Sequence, residues 1–237
     1  MRAWLLAGLL PLVPATGQGA AELHVSRVGE GPDFVALRFP AELPALRMEA
    51  FLDHLMPATT LPDAPSARLF GEPTEAGQPP RDLGDLKLPA EGRHLLLLSQ
   101  SGDKRLRTRL LPFDRESLPL GGVQFLNLTS RRMRCSIDAE AVELAPDEVK
   151  RLPTADVKRR IVNHRLELKT KEGWKADSST TLILGANRRF LFVLQEDHPR
   201  SPLRRELVTD YDPARNLAPL TSPPVRAEPP PPDPPAK

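Results

Sequence analysis

The sequence predicts an all-β protein made of two sandwich domains in tandem. Three observations predict it. The apolar runs are short, and many alternate apolar with polar residues, the period of a half-buried strand. Clusters of Gly, Pro, Asn and Asp bound them, and no stretch holds a convincing long helical period. The runs also fall into two groups, on either side of a junction near residue 116.

In the first group, Leu23-His24-Val25-Ser26-Arg27-Val28 reads as a strand, and Gly29 to Pro32 as a turn. Phe34-Val35-Ala36-Leu37-Arg38-Phe39 is a second strand, ended by Pro40. Residues 46–52 fit a strand or a short helix, since brief apolar runs carry no decisive period. Residues 57–65 and 71–84 read as loops, with a strand at 67–70 between them. His94 to Ser99 and Lys104 to Leu111 form a hairpin, because Gln100-Ser101-Gly102-Asp103 supplies the turn chemistry.

The second group opens as a meander over 118–153. Val123 to Thr129, Met133 to Asp138 and Ala141 to Leu144 are its strands, and Ala145-Pro146-Asp147-Glu148 breaks the last. His164 to Thr170 is a further strand, and Lys171-Glu172-Gly173 turns the chain. Trp174 begins a return that Asp177-Ser178-Ser179 interrupts. Residues 181–184 and 190–194 are joined by Gly185-Ala186-Asn187, a hairpin loop by composition, and Glu206 to Tyr211 reads as a last edge strand. Each group approaches the roughly seven strands of an immunoglobulin-like sandwich. The expected domains are 22–115 and 116–213.

The ends differ from the body. Met1-Arg2, an apolar run from Ala3 to Val13 and small residues up to Ala21 form the pattern of a secretory signal peptide, expected over 1–19. The apolar run is shorter than the ~20 residues of a spanning helix, and no later run is longer, so the mature chain is expected to have no transmembrane segment. Localisation is thus expected to be periplasmic or extracellular. Residues 214–237 are dominated by proline, with almost no large apolar side chains. They predict a disordered, extended tail, inert on composition alone, with a spacer or a docking peptide as the functional alternative.

Charge excludes one class. A net charge of +2 is too small for a dedicated nucleic-acid binder. Cys135 is the only cysteine, so no internal disulfide forms. It alternates with Met133 and Ile137 and reads as a buried small hydrophobe.

Residues 123–153 carry a resemblance. An Asn127-Leu128-Thr129 strand end, a second strand and the Leu144-Ala145-Pro146-Asp147-Glu148 turn resemble the start of domains in uncharacterised exported bacterial proteins. In that family a strand ending in Asn-x-Thr precedes a hairpin and a Leu-x-Pro-Gly-Glu turn. Asp147 stands where the family usually has glycine. The resemblance implies immunoglobulin-like β-sandwiches and no particular activity.

Candidate chemistry is sparse. His24, His54, His94, His164 and His198 are scattered without metal-ligand spacing, and no phosphate loop or nucleophile elbow is present. Asp210 with Asp212, or Glu196 with Asp197, falls short of the 6–8 oxygens that calcium takes. No cofactor and no catalytic residue is expected. Asn127-Leu128-Thr129 also matches a glycosylation acceptor, which reads as chance inside a strand. The arginines remain. Arg105, Arg107 and Arg109 share one face of their strand, opposite Leu106, Thr108 and Leu110, and form a candidate anion-binding face. The bland counterpart is a solvated sheet face.

The sequence therefore points to an exported, non-enzymatic interaction or structural module of a bacterial envelope. Its partner is an unknown protein or an anionic envelope component. The alternatives are a hydrolase of an envelope polymer, with a site assembled from remote residues, and an assembly factor that pairs a strand edge with a client.

Overall fold

The computed structural model describes residues 20–29, 31–40, 43–52, 55, 57–73, 77–100, 106–152, 160–196 and 202–211. The leader expected at 1–19, the proline-rich tail at 214–237 and Arg105 lie outside the described residues. The chain divides into two compact units: Met1–Ser117 with Glu196–Glu206, and Leu118–Gln195 with Leu207–Lys237.

The architecture is all-β, with no helix among the described residues. The strands of the first half are β1 (Glu22–Val28), β2 (Phe34–Arg38), β3 (Leu46–Glu49), β4 (Thr59–Thr60), β5 (Ser66–Gly71), β6 (Arg81–Lys87), β7 (Arg93–Gln100) and β8 (Leu106–Pro112). Those of the second are β9 (Val123–Asn127), β10 (Met133–Ile137), β11 (Glu140–Leu144), β12 (Val149–Leu152), β13 (Arg160–Thr170), β14 (Gly173–Leu184), β15 (Arg188–Gln195) and β16 (Arg204–Tyr211). They form four four-stranded sheets, ordered β4-β1-β7-β8, β3-β2-β5-β6, β12-β9-β15-β16 and β11-β10-β13-β14.

The two halves repeat one topology. In each, the fourth, first, seventh and eighth strands make one sheet, and the third, second, fifth and sixth make the other. The first strand runs parallel to the seventh in both: Glu22 faces Arg93, and Val123 faces Phe190. These paired strands are buried almost throughout, which is why Leu95-Leu96-Leu97-Leu98 and Phe190 to Leu194 read as unbroken apolar runs.

In the first half Leu23 and Val25 of β1 and Leu96 and Leu98 of β7 share a core with Val35, Leu37, Met48 and Leu69 of the opposite sheet. Two sheets face each other across that core, as in a sandwich. In the second half the equivalent contact is aromatic. Phe125 on β9, Phe192 on β15 and His164 on β13 stack with ring centroids 5.1–5.5 Å apart.

Several local expectations are corrected. The run 123–138 is no meander, because β9 and β10 lie in different sheets and only β10 and β11 form a hairpin. Gly185-Ala186-Asn187 is no hairpin loop either. It carries the chain from β14 in one sheet to β15 in the other. Asp177-Ser178-Ser179 does not interrupt the return strand. A register shift opposite Leu166 and Glu167 absorbs one residue, and β14 runs on. Residues 71–84 are only partly loop, since β6 begins at Arg81.

Candidate functional site

Among the described residues no three of His, Cys, Asp and Glu gather as metal ligands. His24 is buried and packs edge-on against Phe113. His164 sits within the aromatic stack, and His94 holds the backbone oxygen of Glu91 at 2.9 Å. His54 and His198 lie outside the described residues. Asp210 reaches the nearly buried Arg189 at 2.9 Å, tying β16 to β15, and Asp212 is again outside the described residues.

Cys135 is fully buried on the inner face of β10 with Met133 and Ile137. Burial away from water pushes its thiol up to about 12, so it stays protonated at neutral pH.

Asn127 is a hydrogen-bond hub, and sequence reasoning missed it. It is fully buried. Its amide donates to the backbone oxygens of Arg131 at 2.8 Å and Ala145 at 3.0 Å. Its carbonyl accepts the Thr129 N–H at 3.0 Å and the Thr129 hydroxyl at 2.7 Å. The same residue's backbone pairs with Asp147 and Glu148. The Asn-x-Thr end of β9 is thereby stapled to the loop between β11 and β12. Asp147 in that loop adopts φ 60°, the left-handed region that favours glycine. The Glu148 carboxylate caps the loop by accepting the Ala145 N–H at 2.7 Å, which with Lys150 beside it holds its pKa below the usual range. A short polar residue two before a threonine, at a strand end, is the available signal: such pairs bond local backbone.

The described pair of the arginine face is asymmetric. Arg107 is exposed, whereas Arg109 is half-buried and stands opposite the fully buried Leu97 in the register of β7 and β8. Leu106 and Leu110 pack against the core from the other face.

Two other surfaces stand out. On the outer face of the sheet β3-β2-β5-β6, Ala36 floors a hollow of about 440 Å³ between Phe34 and Phe70. Arg47 lies over the Phe34 ring at 4.1 Å and Arg38 over the Phe70 ring at 4.4 Å.

The second surface is the edge made by β14. This strand has 12 residues, the most of any strand among the described residues, and ends its sheet. At ~3.3 Å per residue it is ~40 Å long. Residues 175–179 are exposed on both faces of the ribbon. From Ser178 to Leu184 the strand has no charge and no proline. Ile183 pairs across with Ile161 of β13, and the two are 59% and 73% exposed, an apolar step beside the edge.

No protein-family model matches the chain, and no curated protein matches it in sequence.

Proposed function

We propose that the chain is an exported, non-enzymatic interaction module of a bacterial envelope, and that it engages partners through sheet edges. The single observation that supports this is β14: a long edge strand whose C-terminal run, 178–184, is uncharged and has an apolar step beside it. An edge strand presents a row of N–H and C=O groups that template another strand, and charge or proline normally guards it. The assembly-factor reading is favoured over the hydrolase reading by the same edge. The finer assignment of each half as immunoglobulin-like belongs with this proposal. It is supported by two four-stranded sheets per half joined by crossovers.

Fractionation of the native host tests the compartment. The chain is expected with the envelope or the periplasm, and a cytoplasmic location would overturn export. Capture on the mature chain from a detergent-solubilised envelope fraction tests the interaction. A specific partner whose recovery falls on Thr181→Lys, at the exposed edge, is the expected result. Hydrolysis of an envelope polymer by the purified chain would replace this reading with the enzymatic one.

A further inference from the structure

We infer that β14 pairs with β14 of a second copy, antiparallel and two-fold symmetric, joining two four-stranded sheets into one of eight. The inference rests on the reading of β14 as an interacting edge and goes further by naming its occupant.

A two-fold interface must be self-complementary. Antiparallel pairing of one segment with itself meets that condition by construction, provided no like charges face each other. Residues 178–184, Ser-Ser-Thr-Thr-Leu-Ile-Leu, meet the proviso because none is charged. Their middle residue, Thr181, falls on the axis and faces its own copy. The nearest charge before the run is Asp177, and the nearest after it is Arg188. About the Thr181 axis Asp177 falls opposite the uncharged Gly185, and Arg188, beyond the end of β14 and in the other sheet, lies outside the pairing.

Side chains suit the role. Threonine, isoleucine and leucine supply a β-branched, pleat-filling run. Ile183 and Ile161 already form an exposed apolar pair on the sheet surface, and a neighbouring strand would lie against it. The guarded counterpart is in the same molecule. β6, at the same place in its sheet, carries Arg81, Asp82, Asp85 and Lys87, with Gly84 at φ 96° and a register shift opposite. Those devices disfavour edge pairing, and the run 178–184 has none of them.

The test uses analytical ultracentrifugation of the purified, processed chain. Wild type is expected to be a dimer at tens of micromolar, an order chosen for a modest interface. Thr181→Lys and Thr181→Glu each place like charges on the axis and should weaken the dimer at least tenfold. Mixing the two variants in equal amounts should restore it. Because Thr181 is exposed, both variants should keep the wild-type circular dichroism. A Thr181→Cys variant gives a second readout, a disulfide-linked dimer on mild oxidation, since the one native thiol is buried. A wild-type chain that stays monomeric would overturn the self-pairing. So would a dimer indifferent to Thr181→Lys, or one in which the mixed variants stay apart. A monomer that still captures an envelope protein through β14 removes the second copy as occupant and leaves the proposed function standing. A dimer of the expected behaviour found in a cytoplasmic chain does the reverse.

Discussion

Strands β6 and β14 hold the same place in two sheets of the same order, and they treat it in opposite ways. β6 is seven residues long and closes its edge with charges. Arg68 on β5 grips Asp82, and the Asp82 carboxylate also accepts the Gly84 N–H at 3.0 Å. β14 is 12 residues long and leaves its C-terminal run bare. The interiors differ in the same direction. The first half packs Leu, Val and Met between its sheets. The second places a histidine in an aromatic stack, a buried asparagine hub and a nearly buried arginine–aspartate pair. One topology thus tolerates two ways of satisfying a core, and the half with more buried polar groups has the bare edge. Buried polar groups that are fully bonded specify one arrangement, whereas aliphatic side chains tolerate many.

The comparison breaks hardest at Arg189 and Asp210. Replacing Asp210 by Ala leaves a nearly buried guanidinium without its carboxylate, and stability should fall by about 3–5 kcal/mol. Urea unfolding measures it. A loss below about 1 kcal/mol would place the pair among surface contacts. Asn127→Leu comes next. It takes the acceptor from the buried Thr129 N–H and one donor each from the backbone oxygens of Arg131 and Ala145, which keep only the Thr129 hydroxyl and the Glu148 N–H, and should cost about 1–3 kcal/mol. Asn127→Asp should not rescue it, since a carboxylate cannot donate to those oxygens. Cys135→Ser follows at about 1–3 kcal/mol, because it sets a hydroxyl in an apolar site. The thiol also gives a pH signature. Its folded pKa lies above the ordinary 9.0, at about 12, so its contribution is whole below pH 9 and fades as pH rises toward 12. Native labelling by a thiol reagent should stay slow at pH 8, and fast labelling there would contradict the burial.

Two smaller changes sharpen the contrast. Asp147→Gly relieves a left-handed non-glycine residue and should stabilise by about 0.5–1 kcal/mol. A melting temperature that falls instead would mean the Asp147 side chain contributes more than its backbone costs. The smallest effect is expected at the first half's arginines. Replacing Arg105, Arg107 and Arg109 by Gln should shift stability by about 0.5 kcal/mol each or less where the side chain is exposed. If they form an anion-binding face, wild type sediments with envelope fractions at low salt, less at high salt, and the triple variant at neither. Equal sedimentation of both chains at every salt concentration would dispose of that face.

The hairpins were legible because turn chemistry is local. Ser101-Gly102-Asp103 between two apolar runs announced β7 and β8, and the alternation of Met133, Cys135 and Ile137 announced the buried face of β10. The parallel pairs were not legible. An unbroken apolar run such as Leu95 to Leu98 reports burial on both faces and says nothing of its neighbours. Gly185-Ala186-Asn187 has hairpin composition, yet the chain it carries changes sheet, a choice made by packing at both ends. The hub at Asn127 was hidden by a second meaning of Asn-x-Thr, the glycosylation acceptor. The edge at β14 could not be read until the sheet order showed which strand comes last.

The parallel pairing has a consequence in time. β1 meets β7 with Glu22 and Arg93 71 positions apart, and β9 meets β15 with nearly all of its own half in between. As a chain is made from its N-terminus, each first strand therefore waits for the seventh before its sheet can close. Such long-range closure is slow, because the loop entropy falls due before the contacts repay it. Until then β1 and β9 offer apolar, strand-forming segments to any neighbour. A nascent chain stopped before Arg188 should lack a folded second half however complete its hairpins are.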